Sequence, residues 1–250
     1  MITDPLFYAI AVPAVFLVGL AKGGFVGAMV MLGVPLLSLM ISPVQAAGIL
    51  LPILIAMDIF ALFAYRSIYH AGNLKIILPA ALVGIFIGWL TAAYVSESYV
   101  RLIVGVIALL FVLDYWIGWR GTEKTQPSIS RGGFWGAVAG FTSFVCHAGG
   151  APLQMYLAPQ RMEPRIFAGT SVIFFTVVNM IKVIPYAALG QFGSENLMTS
   201  LVLAPIAPVA TLTGAWLVKK IKVGLFYRLT YFFIFVVALK LIWDGAKPLL

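Results

Sequence analysis

A succession of apolar runs, parted by short polar breaks, fills almost the whole chain. They fall at about 5–21, 25–41, 44–65, 74–95, 99–119, 132–146, 151–159, 165–188, 196–217 and 224–243. A bilayer-spanning helix needs about 20 mostly apolar residues, and several runs have that length. Hydrophobic residues make up 62% of the 250 and charged residues only 10%. So little charge cannot cover the surface of a soluble domain. The pattern predicts an all-α integral membrane protein, a polytopic helical bundle in one membrane domain whose surroundings are the lipid bilayer.

Sixteen Lys and Arg against eight Asp and Glu give a net charge of +8. In a soluble chain that excess would suggest nucleic acid. Here the cations fall in the loops, as expected for segments facing the cytoplasm, and no nucleic-acid partner is expected. Cys146 is the single cysteine, and His70 and His147 lie far apart in sequence. That leaves no disulfide and predicts neither a metal site nor a cofactor. The N-terminal Met1-Ile-Thr-Asp4 carries an acid where a signal peptide needs a base, so the first apolar run reads as a retained segment.

The longest polar stretch, about 120–131, looks like a cytoplasmic linker between two halves, about 1–119 and about 132–250. The halves resemble each other. Ser42-Pro43-Val44-Gln45-Ala46-Ala47-Gly48 matches Glu163-Pro164-Arg165-Ile166-Phe167-Ala168-Gly169, and at the same offset Asp58 falls on Asn179 and Gly72 on Gly193. Gly23-Gly24 pairs with Gly149-Gly150 at a slightly larger offset. An internal duplication of this kind is a common plan for transporters.

Each half opens on an interrupted segment. Lys22-Gly23-Gly24 breaks the first, and His147-Ala148-Gly149-Gly150-Ala151-Pro152 breaks the second. Each is either one broken crossing or a hairpin that leaves on the side it entered. If both are hairpins, Arg66, Arg120, Lys124, Arg161, Lys219 and Arg228 share one side with most other loop cations, and Arg101 and Lys247 remain opposite. The preference for basic cytoplasmic loops favours hairpins. Both termini are then outside, and each half is a broken or re-entrant hairpin plus three transmembrane helices. The halves insert in opposite senses, as two inverted repeats whose Gly-Gly tips approach near the midplane.

At the first tip a new helix is expected from about Gly24 to Val26. Its unpaired N–H groups and positive dipole end would attract an anion, with Lys22 adding a full charge. Gly23, Gly24 and Phe25 complete that tip. At the second, Gly149 and Gly150 give the turn, and His147 can donate to an anion or carry a proton. Gln154 lies one turn further on. Asp58 sits in mid-span, where a carboxylate is expensive, and is the candidate for proton or ion coupling or for pairing with Lys22. Asn179, Thr170 and Ser171 are candidate polar lining. Lys182 reads as a snorkelling residue near a helix end, and Asp114 as a weaker candidate.

These motifs carry a resemblance. Gly19-Leu20-Ala21-Lys22-Gly23-Gly24-Phe25, Val34-Pro35-Leu36-Leu37 and Ala46-Ala47-Gly48 are followed by a second copy, Gly140-Phe141, Ala148-Gly149-Gly150-Ala151-Pro152 and Ala168-Gly169-Thr170-Ser171. The chain resembles the TauE/SafE family of membrane permeases, the sulfite exporter group, over essentially its whole length. Lys22 and His147 depart from the small residues common at those places. The resemblance implies a bacterial inner-membrane carrier, not an enzyme, for a sulfur-containing anion such as sulfite or an organosulfonate. A homo-oligomer remains compatible with the sequence. The competing readings are an anion channel with the tips as its constriction, and an intramembrane lipid-phosphate enzyme, which needs a cluster of Ser, His, Arg and Glu where the tips offer one Lys, one His and no Glu.

Overall fold

The computed structural model describes residues 1–25, 27–91, 94, 96–117 and 124–247. Val26 and the linker residues 120–123 therefore lie outside the described residues. The described residues form helices joined by short loops, with no strand among them. α1 (Pro5–Lys22) starts where Asp4 accepts the Leu6 N–H at 2.8 Å and Pro5 fills the first turn. After the break come a 3₁₀ turn, Gly27–Leu32, and the short α2 (Gly33–Leu37). α3 (Pro43–Tyr65), capped by Ser42, is followed by α4 (Ala71–Thr91) and α5 (Glu97–Ile117).

The second half also opens on a broken segment and continues in long helices. α6 (Ile129–Cys146) is capped by Ser128 and ends at His147, which adopts the left-handed conformation (φ 53°). α7 (Gly150–Leu157) runs into a 3₁₀ turn, Ala158–Gln160. α8 (Pro164–Ala188), α9 (Ser194–Leu203), α10 (Ile206–Lys220) and α11 (Val223–Ala246) complete the chain. α1, α3, α4, α5, α8 and α11 are long and apolar enough to cross a bilayer, and α9 with α10 forms a seventh candidate.

Two expectations need correction. The apolar run at 196–217 is not one straight span: it is divided between α9 and α10, which meet at 50° across Ala204-Pro205. Proline there withholds a backbone donor and clashes with the preceding turn. Nor are Gly24 and Phe25 α-helical: both lie in a turn, Val26 is outside the described residues, and a 3₁₀ turn starts at Gly27.

The return limbs, 6 plus 5 residues after the first break and 8 plus 3 after the second, are too short to cross a bilayer alone. Each folds back on the helix before it: the 3₁₀ turn and α2 pack on α1, and α7 packs on α6. The most extensive of the other packing pairs join the two halves. α1 lies against α10 and α6 against α4, while α3 pairs with α8 and α5 with α11.

Glycine permits the closest of these contacts. A Cβ on Gly84 would lie 2.8 Å from the Phe141 nitrogen and would strike the Ala137 carbonyl. Gly140 faces Ala81 in the same way across the α4–α6 seam. Gly84→Val must push two helix backbones apart, so it should cost at least about 1–3 kcal/mol. A melting temperature in detergent unchanged from wild type would contradict that packing.

Candidate polar site at the helix breaks

α1 ends because Gly24 (φ 90°) turns the chain out of the helix. The N–H groups of Gly23, Gly24 and Phe25 then bond back to the carbonyls of Gly19, Ala21 and Leu20 at 2.9, 2.9 and 3.2 Å. These donors were expected to face a ligand. Those of Gly24 and Phe25 are spent inside the turn instead, while Val26 lies outside the described residues; Lys22 brings a full positive charge to this break.

Lys22 is only 4% exposed and its Nζ lies 2.5 Å from Asp58 Oδ1 on α3. Asn179 on α8 donates to Asp58 Oδ2 at 2.7 Å. The two polar residues matched by the internal repeat thus meet each other. Lys22 Nζ also stands 5.6 Å from the centroid of the Phe175 ring. An isolated charge at this depth would be costly; the pair and the amide offset that cost.

Beside this pair is a small cavity of about 20 Å³, space for about one water molecule. Lys22 and Gly24 line it from the first break, Gln154 from α7, and Ser171 and Phe175 from α8. Gln154 is buried, and its Oε1 has no hydrogen-bond partner. An amide can present either its oxygen or its NH₂ group. The return limbs meet here too, where the Ala151 N–H points at Met31 Sδ at 3.2 Å.

A second polar cluster lies at the other break. Lys182, fully buried rather than snorkelling, donates to the Ser143 carbonyl at 2.7 Å. Its Nζ is 3.4 Å from His147 Nδ1. On the far side of the ring, Nε2 is 2.7 Å from the Tyr186 hydroxyl. Phe175, Asn179, Lys182 and Tyr186 recur at helical spacing and form one stripe of α8. That stripe joins the two breaks.

Two tyrosines were missed by the sequence reading. Tyr65 donates to the Gly23 carbonyl at 2.7 Å, and Tyr186 donates to the Phe144 carbonyl at 3.4 Å. The offset that pairs Asp58 with Asn179 also pairs Tyr65 with Tyr186, so the signal was present. Tyr65→Phe should cost about 0.5–1.5 kcal/mol through this hydrogen bond. No loss on thermal unfolding would show that Tyr65 does not brace the break.

Other expected site residues have different places. Gly23 packs on α10, where a Cβ would lie 2.8 Å from Gly214 Cα. Gly149 packs on α6, with Ser143 Cβ 2.8 Å from such an atom. Gly150 opens α7 and is buried there. Phe25 packs against the apolar core. Thr170 bonds the Ile166 carbonyl at 2.6 Å and accepts the His70 N–H at 2.9 Å, tying α8 to the start of α4. Ser171 bonds Phe167 at 3.0 Å yet still borders the cavity.

On the opposite face of α7 is a larger cavity of about 150 Å³, edged by Arg131, Arg161, Trp135, Tyr156 and Asp114. Leu153 and Gln154 border the first cavity while Met155 and Tyr156 border the second. α7 is the partition between them.

A family model described as sulfite exporter TauE/SafE matches residues 11–241. No curated protein and no solved structure matches the chain.

Proposed function

The chain belongs to the sulfite exporter TauE/SafE family of membrane permeases, and from that membership we propose a secondary transporter that binds a small sulfur-containing anion beside Lys22. The observation that carries the site is the pairing of a buried ammonium with an unpartnered Gln154 oxygen at one cavity. Lys22 has three N–H donors and gives one to Asp58. The others, with the Gln154 amide turned to present its NH₂ group and the Ser171 hydroxyl turned from the Phe167 carbonyl, suit the oxygens of sulfite or of an organosulfonate.

The cavity is smaller than such an anion, so loading requires α7 and the facing 3₁₀ turn to separate. Movement of α7 would join this cavity to the larger one beside Arg131 and Arg161. With the two halves inserted in opposite senses, as the loop charges favour, rocking one against the other opens the site to alternate sides. The same pattern supports a multi-pass protein of a bacterial inner membrane with both termini outside. A membrane potential that is negative inside favours anion exit by about 2.3 kcal/mol per charge per 100 mV, which supports export.

The test is thermal stabilisation of purified protein by sulfite, sulfate, thiosulfate, sulfoacetate, isethionate and acetate. A ligand at about 100 times its Kd should add about 2.7 kcal/mol of stability. We expect a sulfur anion to stabilise selectively, and Gln154→Leu and Ser171→Ala to weaken that response without breaking the Lys22–Asp58 pair. No response from wild type to any sulfur anion, or one indifferent to both substitutions, would remove this site.

A further inference from the structure

Lys182 stands out among the buried groups because, among the described residues, it forms no ion pair. Lys22 has Asp58. Lys182 is 0% exposed, and its hydrogen-bond partners among the described residues are the Ser143 carbonyl, the Ser143 hydroxyl and His147 Nδ1. None is anionic. An ammonium buried without an opposite charge is strongly disfavoured, whereas an amine that loses its proton is not.

On α6, Ser143, Cys146 and His147 face Lys182; on its own helix, Tyr186 stands one turn away. Lys22 from α1 and Asp58 from α3 are near enough to act on it, and Arg101 from α5 acts on the His147 ring. Lys22 and Asp58 cancel one another. A negative charge placed beside Lys22 is then the missing partner for Lys182.

We infer that Lys182 takes up a proton when an anion occupies the cavity beside Lys22 and releases it when the anion leaves, which makes this a proton-linked anion site. The inference rests on the anion site proposed above. It moves the coupling role from Asp58, held on both oxygens by Lys22 and Asn179, to a residue with no fixed counter-charge. The step adds one proton from solvent to the neutral Lys182 amine, giving the ammonium, and returns it on release.

His147 provides the route. Nδ1 faces Lys182 Nζ, and Nε2 faces the Tyr186 hydroxyl near the end of α8. An imidazole can accept a proton on one nitrogen and give one up from the other. Each transported anion then carries one negative charge fewer than it has in solution. A dianion still moves one charge down the membrane potential; a monoanion moves none.

The probe is isethionate, a permanently ionised sulfonate that cannot itself take up the proton. Its binding heat is measured calorimetrically in buffers of different protonation enthalpy, from neutral to alkaline pH. Wild type should take up protons on binding. Its affinity should fall with rising pH, by up to about tenfold per unit for one linked proton. Lys182→Met cannot bind a proton, and Lys182→Arg cannot release one. Both should bind without proton uptake and with affinity independent of pH. Binding by wild type without uptake, or uptake that persists in both variants, would overturn the inference and leave the anion site standing. No isethionate binding by wild type would overturn both.

Discussion

Asp58→Asn should destabilise the protein by about 3–5 kcal/mol, because it strands the Lys22 ammonium in the protein interior. The substitution keeps the shape of the side chain and the group that meets Asn179, but removes the opposite charge 2.5 Å from Lys22. Burial makes the loss large: both side chains are 3% exposed. A surface pair would be worth only about 0–1 kcal/mol. Lys240 and Asp244 on α11, with the lysine about one-third exposed, provide that comparison within the same chain.

The double variant Lys22→Met/Asp58→Asn removes both charges and should recover most of the stability lost by Asp58→Asn alone. It should also lose the selective response to sulfur anions, since no ammonium remains at the cavity. Unfolding of wild type, Lys22→Met, Asp58→Asn and the double variant in detergent measures the coupling. A double variant as unstable as the sum of the single changes would mean that the pair does not act as a pair.

Gly24→Val should have the other large effect and should abolish transport. Two penalties combine at this position. The φ of 90° is one that side chains rarely adopt, and an added Cβ would strike Ala168 Cβ and lie 2.9 Å from the Tyr65 hydroxyl. The change therefore disturbs the turn, the tyrosine brace and the wall of the cavity together. Gly190 is the control: its φ is 68°, but nothing lies within 4 Å of an added Cβ. Gly190→Ala isolates the conformational cost of about 1–2 kcal/mol. Sulfite flux in proteoliposomes should vanish in Gly24→Val and persist in Gly190→Ala. Equal behaviour of the two would assign the effect to backbone strain alone and not to the cavity.

Much of the fold was legible because the bilayer imposes it. The lengths of the runs at 44–65, 74–95, 99–119, 165–188 and 224–243 correspond to α3, α4, α5, α8 and α11. The breaks at Gly23-Gly24 and Gly149-Gly150 were visible as glycine where spans would otherwise continue. The bend between α9 and α10 was readable from Pro205 and was passed over, because the apolar run continues through it. The repeat offset brought Asp58 and Asn179 into correspondence, although it gave no sign that they would touch.

Lys182 shows where reading along the chain stops. It lies 6 residues before the end of α8, where a lysine can ordinarily reach the interface. Only the arrival of α6, separated from it in sequence by the whole of α7, buries it against Ser143 and His147. The same holds for the donors at the first break: composition allows a helix start, but the turn closes its own N–H groups on α1. The chain by itself determined the number and length of its apolar helices and the positions of their breaks, since those follow from hydropathy and backbone chemistry read locally. Tertiary structure alone decided that, among the described residues, Lys22 meets a carboxylate and Lys182 meets only neutral hydrogen-bond partners, because that balance depends on contacts across distant segments in a medium where water cannot compensate.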